Sequence, residues 1–189
     1  MHMMKKGLLL AVLAASPVFS ALETGTAAPK FEARASLAGE EFDYSLSSAL
    51  EGGPVVVYFY PSAYTRGCNI QAHEFAVNME KFKAAGASVI GVSLDSIERL
   101  NDFSADPEYC AGELAVASDE SGDIAKSFDI NISDAREGSK DTRGVENDHG
   151  RAERTTFIVT AEGDISEVIG GISPPENVQK SLQAVQNLN

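Results

Sequence analysis

Only two cysteines, Cys68 and Cys110, occur in a chain of 189 residues. That is too few for a disulfide framework, so the pair is left with two uses, one structural bridge or a redox couple. Basic residues are scarce as well: 15 Lys and Arg stand against 28 Asp and Glu, a formal net charge of −13. A surface of that sign repels polyanions, which argues against nucleic acid as a partner. The apolar run from Gly7 to Phe19 falls short of the roughly 20 residues that cross a bilayer. No repeat or low-complexity tract interrupts the chain. With 43% hydrophobic and 23% charged residues, the composition is that of one globular domain with a real core.

The N-terminus reads as an export signal rather than as part of the fold. Lys5 and Lys6 precede the apolar run, and Val18-Phe19-Ser20 carries small residues where an export peptidase cuts. Cleavage after Ser20 is expected, leaving a soluble, acidic protein in the periplasm or outside the cell, where thiols tend to be oxidised. Loss of the Lys pair takes the charge of −13 two units further down. No Cys stands at the cut to take a lipid, so no membrane anchor is expected.

Residues 21–30, rich in Ala and Thr, read as a flexible lead-in to a domain spanning 31–189. Phe42 to Leu46 suggests a short edge strand or turn. Val55-Val56-Val57-Tyr58-Phe59-Tyr60, bounded by Gly53-Pro54 and Pro61, predicts a strand buried on both faces. After the loop from Pro61 to Gly67, the spacing of Ala72, Phe75, Met79 and Phe82 predicts a helix, with Cys68 at or near its start. A strand over Ser88 to Leu94 and a helix from Ser96 with Ile97, Leu100 and Phe103 inward give a β-α-β-α order. Shorter elements are expected at Leu114 to Ala117 and Ile124 to Phe128. A strong strand over Thr155 to Thr160 turns through Glu162-Gly163-Asp164 into Ile165 to Ile169. Ser173 and Pro175 open a closing helix lined by Val178, Leu182 and Val185. The whole predicts an α/β sandwich with a mixed sheet, interrupted by one inserted loop over 131–151. That loop is expected to be mobile, with Arg151 a loop residue and His149 solvated beside Glu146 and Asp148.

A Cys after a buried strand and at a helix N-terminus sits where unpaired backbone N–H groups and the helix dipole favour a thiolate. The same position also suits a small buried core residue. The neighbours decide. Pro61-Ser62-Ala63-Tyr64-Thr65-Arg66-Gly67-Cys68 resembles the Pro-x-x-x-Thr-x-x-Cys motif of peroxiredoxins. The likeness extends through Phe59-Tyr60, Gln71, Ala72, Phe75, Gly91-Val92-Ser93-x-Asp95-Ser96, Ser118-Asp119 and Arg154-x-Thr156-Phe157-Ile158-Val159. It covers nearly all of the mature chain and is nearest to the bacterioferritin-comigratory, or Q-type, group.

The resemblance implies a thioredoxin-like fold and a thiol peroxidase acting on hydrogen peroxide and organic hydroperoxides. In that reading Cys68 is the peroxidatic residue and forms a sulfenic acid. Thr65 hydrogen-bonds the sulfur and the peroxide, Pro61 shields the sulfur from water, and the Arg154 guanidinium favours the thiolate. N–H groups near Gly67 and Cys68 complete a cradle for the developing negative oxygen. Many members of the group carry a second Cys five positions after the first. Here that place is His73, about 140° around the helix from Cys68, so the two make a poor metal site and His73 reads as a partly exposed helix histidine. Cys110 is then the candidate resolving residue, through an intramolecular disulfide, with a one-Cys enzyme as the alternative. No cofactor or metal is implied, and the reductant is an external thioredoxin- or glutaredoxin-like thiol. A monomer or weak dimer is expected. A thiol–disulfide oxidoreductase is disfavoured because Gln71 stands where Cys-x-x-Cys needs its second thiol. A thioredoxin-fold metal-binding module leaves Pro61, Thr65 and Arg154 unexplained.

Overall fold

Alternation along the strongest apolar run sends Val55, Val57 and Phe59 to one core cluster and Val56, Tyr58 and Tyr60 to another. A strand can serve two cores only at the centre of a covered sheet. The computed structural model describes residues 21–188 and builds both layers around this run.

The domain opens with β1 (Glu32–Leu37), β2 (Glu40–Ser45) and the short α1 (Leu46–Leu50). β3 (Val55–Phe59), α2 (Arg66–Ala84), β4 (Ser88–Ser93), α3 (Ile97–Ala105) and β5 (Ala115–Ser118) follow. After α4 (Asp123–Ser127) come the two-residue strands β6 (Ile132–Ser133) and β7 (Arg151–Ala152), then β8 (Thr155–Val159), β9 (Ile165–Gly170) and α5 (Pro174–Gln186). The main sheet has the order β2-β1-β5-β4-β3-β8-β9. β3 pairs parallel with β4 and antiparallel with β8, so the sheet is mixed as expected.

One core cluster takes Phe75, Met79 and Phe82 from α2, Leu100 and Phe103 from α3 and Val178 and Val185 from α5. The opposite cluster takes Leu46 of α1, Ala125 of α4 and the neighbouring rings of Phe59, Phe128 and Phe157. Each such side chain contributes on the order of 1.5–3 kcal/mol by leaving water. Tyr58 adds a constraint of its own: a Cβ on Gly91 in the adjacent strand would lie 2.6 Å from the Tyr58 hydroxyl. Only glycine leaves room for that ring.

The structure departs from the sequence reading in several places. β1 escapes it, because Glu32-Ala33-Arg34-Ala35-Ser36-Leu37 carries little β-branched character. Its hairpin to β2 turns through Ala38 at φ 53° and Gly39 at φ 83°, a two-residue turn without the usual Asn-Gly signature. Leu46, expected at the end of a short edge strand or turn, instead begins α1. The segment expected as a flexible lead-in lies along the sheet: Gly25 N–H donates to Ile165 O at 2.7 Å and Ala28 N–H to Gly163 O at 2.8 Å. The export signal and its cut after Ser20 lie outside the described residues.

Candidate active site

Pro61 to Thr65 carries the chain from the end of β3 to the start of α2. Thr65 is the N-cap residue of α2 in extended backbone, and Cys68 lies in the first turn, buried at 2% exposure. The first N–H groups of a helix lack intrahelical partners, and Arg66, Gly67 and Cys68 are the first three residues of α2. The Thr65 hydroxyl donates to Ser62 O at 2.9 Å. That bond ties the cap to the preceding turn rather than to the sulfur, and it leaves the oxygen's lone pairs available as acceptors.

The charge at the site comes from Arg154, just before β8. Its Nη2 lies 3.3 Å from Cys68 Sγ, while Nη1 donates to Gln71 Oε1. A Cβ at position 67 would come within 3.2 Å of Nη2, a tight contact, so Gly67 leaves the guanidinium room at the helix start. Gln71 is fully buried and passes the link on: its Nε2 donates to Asn177 Oδ1 at 3.0 Å. Asn177 Oδ1 also accepts from Thr156 Oγ1 at 2.8 Å, and its Nδ2 donates to Ile169 O at 3.1 Å. An arginine can only donate, so Gln71 must present oxygen to it and nitrogen to Asn177. The chain α2–α5–β8–β9 thus fixes the guanidinium from behind. From sequence, Gln71 stands out as a motif match and as the residue that breaks a Cys-x-x-Cys pattern, not as a support for the arginine, and nothing in the sequence singles out Asn177.

A second polar network lies on the other side of the loop. Asp95, fully buried, accepts from Ser62 Oγ at 2.8 Å, from Ala63 N–H at 2.8 Å and from Ser93 Oγ at 2.7 Å. Arg99 of α3 lies 2.9 Å from the same carboxylate and 2.8 Å from Asp141. His149 Nε2 lies 2.9 Å from Asp95 Oδ1. This corrects the expectation of a solvated His149: it is half-buried, with its ring on the buried Asp95 carboxylate. Arg151 is likewise in β7 rather than in a loop, with its guanidinium on Ser139 Oγ. The inserted segment is a strap whose ends pair as β6 and β7 and whose middle docks on the Cys68 loop.

Cys110 lies in the turn before β5, with no accessible surface and with its thiol free. Burial pushes that thiol well up from its ordinary range, and the Asp106 carboxylate adds to the shift. Cys110 belongs to the same core cluster as Cys68, and the Tyr58 phenol feels both sulfurs. His73 is exposed, with Nδ1 3.1 Å from Glu108 O, which agrees with the helical geometry. Among the described residues no helix is long and apolar enough to cross a membrane.

A buried cysteine at a helix start, faced by an arginine on a thioredoxin-like sheet, defines the thiol-dependent peroxidases called peroxiredoxins. Comparison with known proteins agrees. Residues 24–168 match the AhpC/TSA family. Peroxiredoxin Bcp of Escherichia coli (strain K12) is 33% identical over 147 residues, 78% of this chain and 85% of that protein. The chloroplastic peroxiredoxin Q of Sedum lineare is 29% identical over 179 residues, 94% of this chain and 86% of that protein. The crystal structure of peroxidoxin BcpB from Mycobacterium tuberculosis superposes with a TM-score of 0.73 at 26% identity, covering 89% of this chain and 99% of that one. The chain belongs to the AhpC/TSA family, in its bacterioferritin-comigratory and Q-type branch.

Proposed function

We propose that this peroxiredoxin works outside the cytoplasm, reducing hydrogen peroxide and organic hydroperoxides through the sulfur of Cys68. The observation that carries the reading is the Arg154 Nη2 to Cys68 Sγ contact of 3.3 Å at the start of α2. The Cys68 thiolate attacks the terminal oxygen of the hydroperoxide and the O–O bond breaks. Cys68 becomes a sulfenic acid, and the departing alkoxide or hydroxide takes a proton and leaves as alcohol or water. Arg154 and the first-turn N–H groups stabilise the negative charge as it moves from sulfur to oxygen. Thr65 accepts the peroxide's hydrogen and Pro61 keeps bulk water from the sulfur.

Recovery runs through Cys110. Its thiol, once deprotonated, attacks the sulfenic sulfur, a disulfide forms and the hydroxyl leaves as water. An external dithiol of thioredoxin or glutaredoxin type then reduces the disulfide by exchange. Because both sulfurs are buried, formation of the bond requires local unwinding around them. Lys5, Lys6 and the apolar stretch to Phe19 support export with removal of residues 1–20, and a monomer or weak dimer is the working form.

A peroxide-consumption assay with a thiol reductant, comparing wild type with Cys68→Ser, tests the reading. Activity should vanish in the variant, and retained activity would refute the assignment. Sizing of the secreted protein by mass spectrometry should show a chain beginning at Ala21.

A further inference from the structure

Tyr64, the residue before Thr65, is held at φ 59° with its ring at 2% exposure. A bulky residue in left-handed backbone costs of order 1–3 kcal/mol and persists only where its surroundings over-determine it. Here the surroundings are the strap. The backbone N–H and the hydroxyl of Thr142 both donate to Tyr64 O, each at 2.8 Å. The Arg143 guanidinium caps the Tyr64 ring, 3.3 Å from its centroid. One residue before Tyr64, the Ala63 carbonyl accepts from Arg99 Nη2 at 2.9 Å, and Arg99 is itself paired with Asp141 of the strap.

His149 fastens the far end. Its Nδ1 lies 2.7 Å from Gly150 O and its Nε2 2.9 Å from Asp95 Oδ1. A carbonyl and a carboxylate only accept, so the protonated ring, with hydrogen on both nitrogens, satisfies both contacts, whereas the neutral ring can donate to only one of them. Ser62, 3.4 Å from Nε2, donates to the same Asp95 oxygen. A Ser–His–Asp catalytic arrangement would put serine and aspartate on opposite ring nitrogens. Here both are on Nε2, and the group can hold but not relay. The charged groups facing His149 are Asp95, from the end of β4, and Arg99, from α3. Burial opposes the charge on His149, but the hydrogen bond and attraction of Asp95 outweigh both burial and Arg99, so its pKa lies above the ordinary 6.5.

We propose that the strap Asp141–His149 positions the Ser62–Thr65 turn for peroxide attack, and that loss of the His149 proton opens it. The proposal rests on the reading of Cys68 as the attacking sulfur. His149 and Thr142 touch neither peroxide nor sulfur and are positioning residues. Since the native pKa is raised, the clamp is fully present below the ordinary histidine value and is lost as pH rises through the native one. In the open form Tyr64 leaves its left-handed conformation and the first turn of α2 loses its anchor.

The test uses the reduced full-length chain in two measurements across about pH 6 to 9. One is amide exchange over residues 61–69, corrected for intrinsic rates. The other is the second-order rate of Cys68 oxidation by hydrogen peroxide. In wild type, protection and rate should both fall on the alkaline side, protection by about tenfold or more, the loss expected of one charge-assisted hydrogen bond. His149→Gln should show low protection at every pH and no alkaline limb. Thr142→Val, at an exposed position, should lower protection while keeping the limb, which guards against a His149 variant that folds poorly. Wild-type protection together with an unchanged alkaline limb in His149→Gln would overturn the proposal. If Cys68 is inert to peroxide while exchange behaves as described, the peroxidase reading fails and the clamp stands.

Discussion

Arg154 joins Cys68 to Gln71: one amino group of its guanidinium lies 3.3 Å from the sulfur and the other donates to the buried amide oxygen. The positive charge is therefore positioned by the interior of the protein and not by solvent. A fixed donor at the point where charge develops costs no reorganisation during the reaction.

Arg154→Ala should accordingly slow Cys68 oxidation by about 10²-fold or more, the scale of losing one preorganised donor at a charge-developing oxygen. Arg154→Lys keeps the charge but cannot reach sulfur and Gln71 together, so it should fall between the two. Stopped-flow measurement of the reduced enzyme with hydrogen peroxide checks both. Equal rates in all three proteins would remove Arg154 from the mechanism.

Asn177 offers a separate test at a distance from the sulfur. It satisfies Gln71, Thr156 and Ile169 at 1% exposure. Asn177→Ala strands those buried groups and should cost about 1–3 kcal/mol in denaturant unfolding. The peroxide rate should also fall, by less than in Arg154→Ala, because Gln71 is then free to swing. A stability loss with no change in rate would mean that the guanidinium needs no support from α5.

The fold was legible where hydrophobic periodicity was strong. β3, α2, β4, β8 and α5 follow from their apolar patterns to within a residue or two, since burial dictates those patterns. β1 was hidden because an edge hairpin with one covered face needs few apolar residues. The sulfur and its arginine were visible through a motif. The supports behind them were not: Gln71 and Asn177 meet across 106 positions of chain, and a polar residue inside a helix usually marks the solvent face. The strap was misread for a related reason. Its charged composition matches that of a mobile loop, and only the partners Arg99, Ser62 and Asp95 show that Asp141, Asn147 and His149 are held by the rest of the domain.

Tyr58 leads to a prediction of opposite sign. Its hydroxyl is buried without a hydrogen-bond partner among the described residues, and burial pushes its pKa far up. Tyr58→Phe removes that uncompensated group while keeping the ring stacked on Phe75 at 4.5 Å. Unfolding stability should rise by about 1 kcal/mol, the scale of an unmet buried polar group. A loss of that size would show that the phenol has a partner.

Asp95 sets the acid limit of the clamp. Burial alone would raise its pKa, but the hydrogen bonds from His149, Ala63 and Ser93 win, and it lies below the ordinary 3.8. A lowered native pKa means that the contribution is present above the unfolded value and is lost as pH falls through the native one. Wild type should therefore lose stability on acidification in that range, and Asp95→Asn should flatten that limb. At neutral pH the same variant leaves Arg99 and His149 short of a counter-charge, at a cost of about 3–5 kcal/mol. Unfolding curves taken across the acid range check the slope, and an unaltered slope in Asp95→Asn would assign the acid limb to other carboxylates.

Cys110 decides the fate of the oxidised sulfur. As a buried, neutral thiol in the reduced protein it is a poor nucleophile until its turn opens, so resolution should be slower than the peroxide step. Cys110→Ser should leave the rate of Cys68 oxidation within about twofold of wild type, because the Arg154 contact is untouched; a serine of similar size should cost little packing. Turnover with the thiol reductant should fall, and Cys68 should accumulate as sulfenic and then sulfinic acid. Intact-mass analysis after one equivalent of peroxide separates the outcomes: a Cys68–Cys110 disulfide in wild type and an oxygen adduct in the variant. An oxygen adduct in both proteins, with equal turnover, would make this a one-Cys enzyme and reduce Cys110 to a core residue.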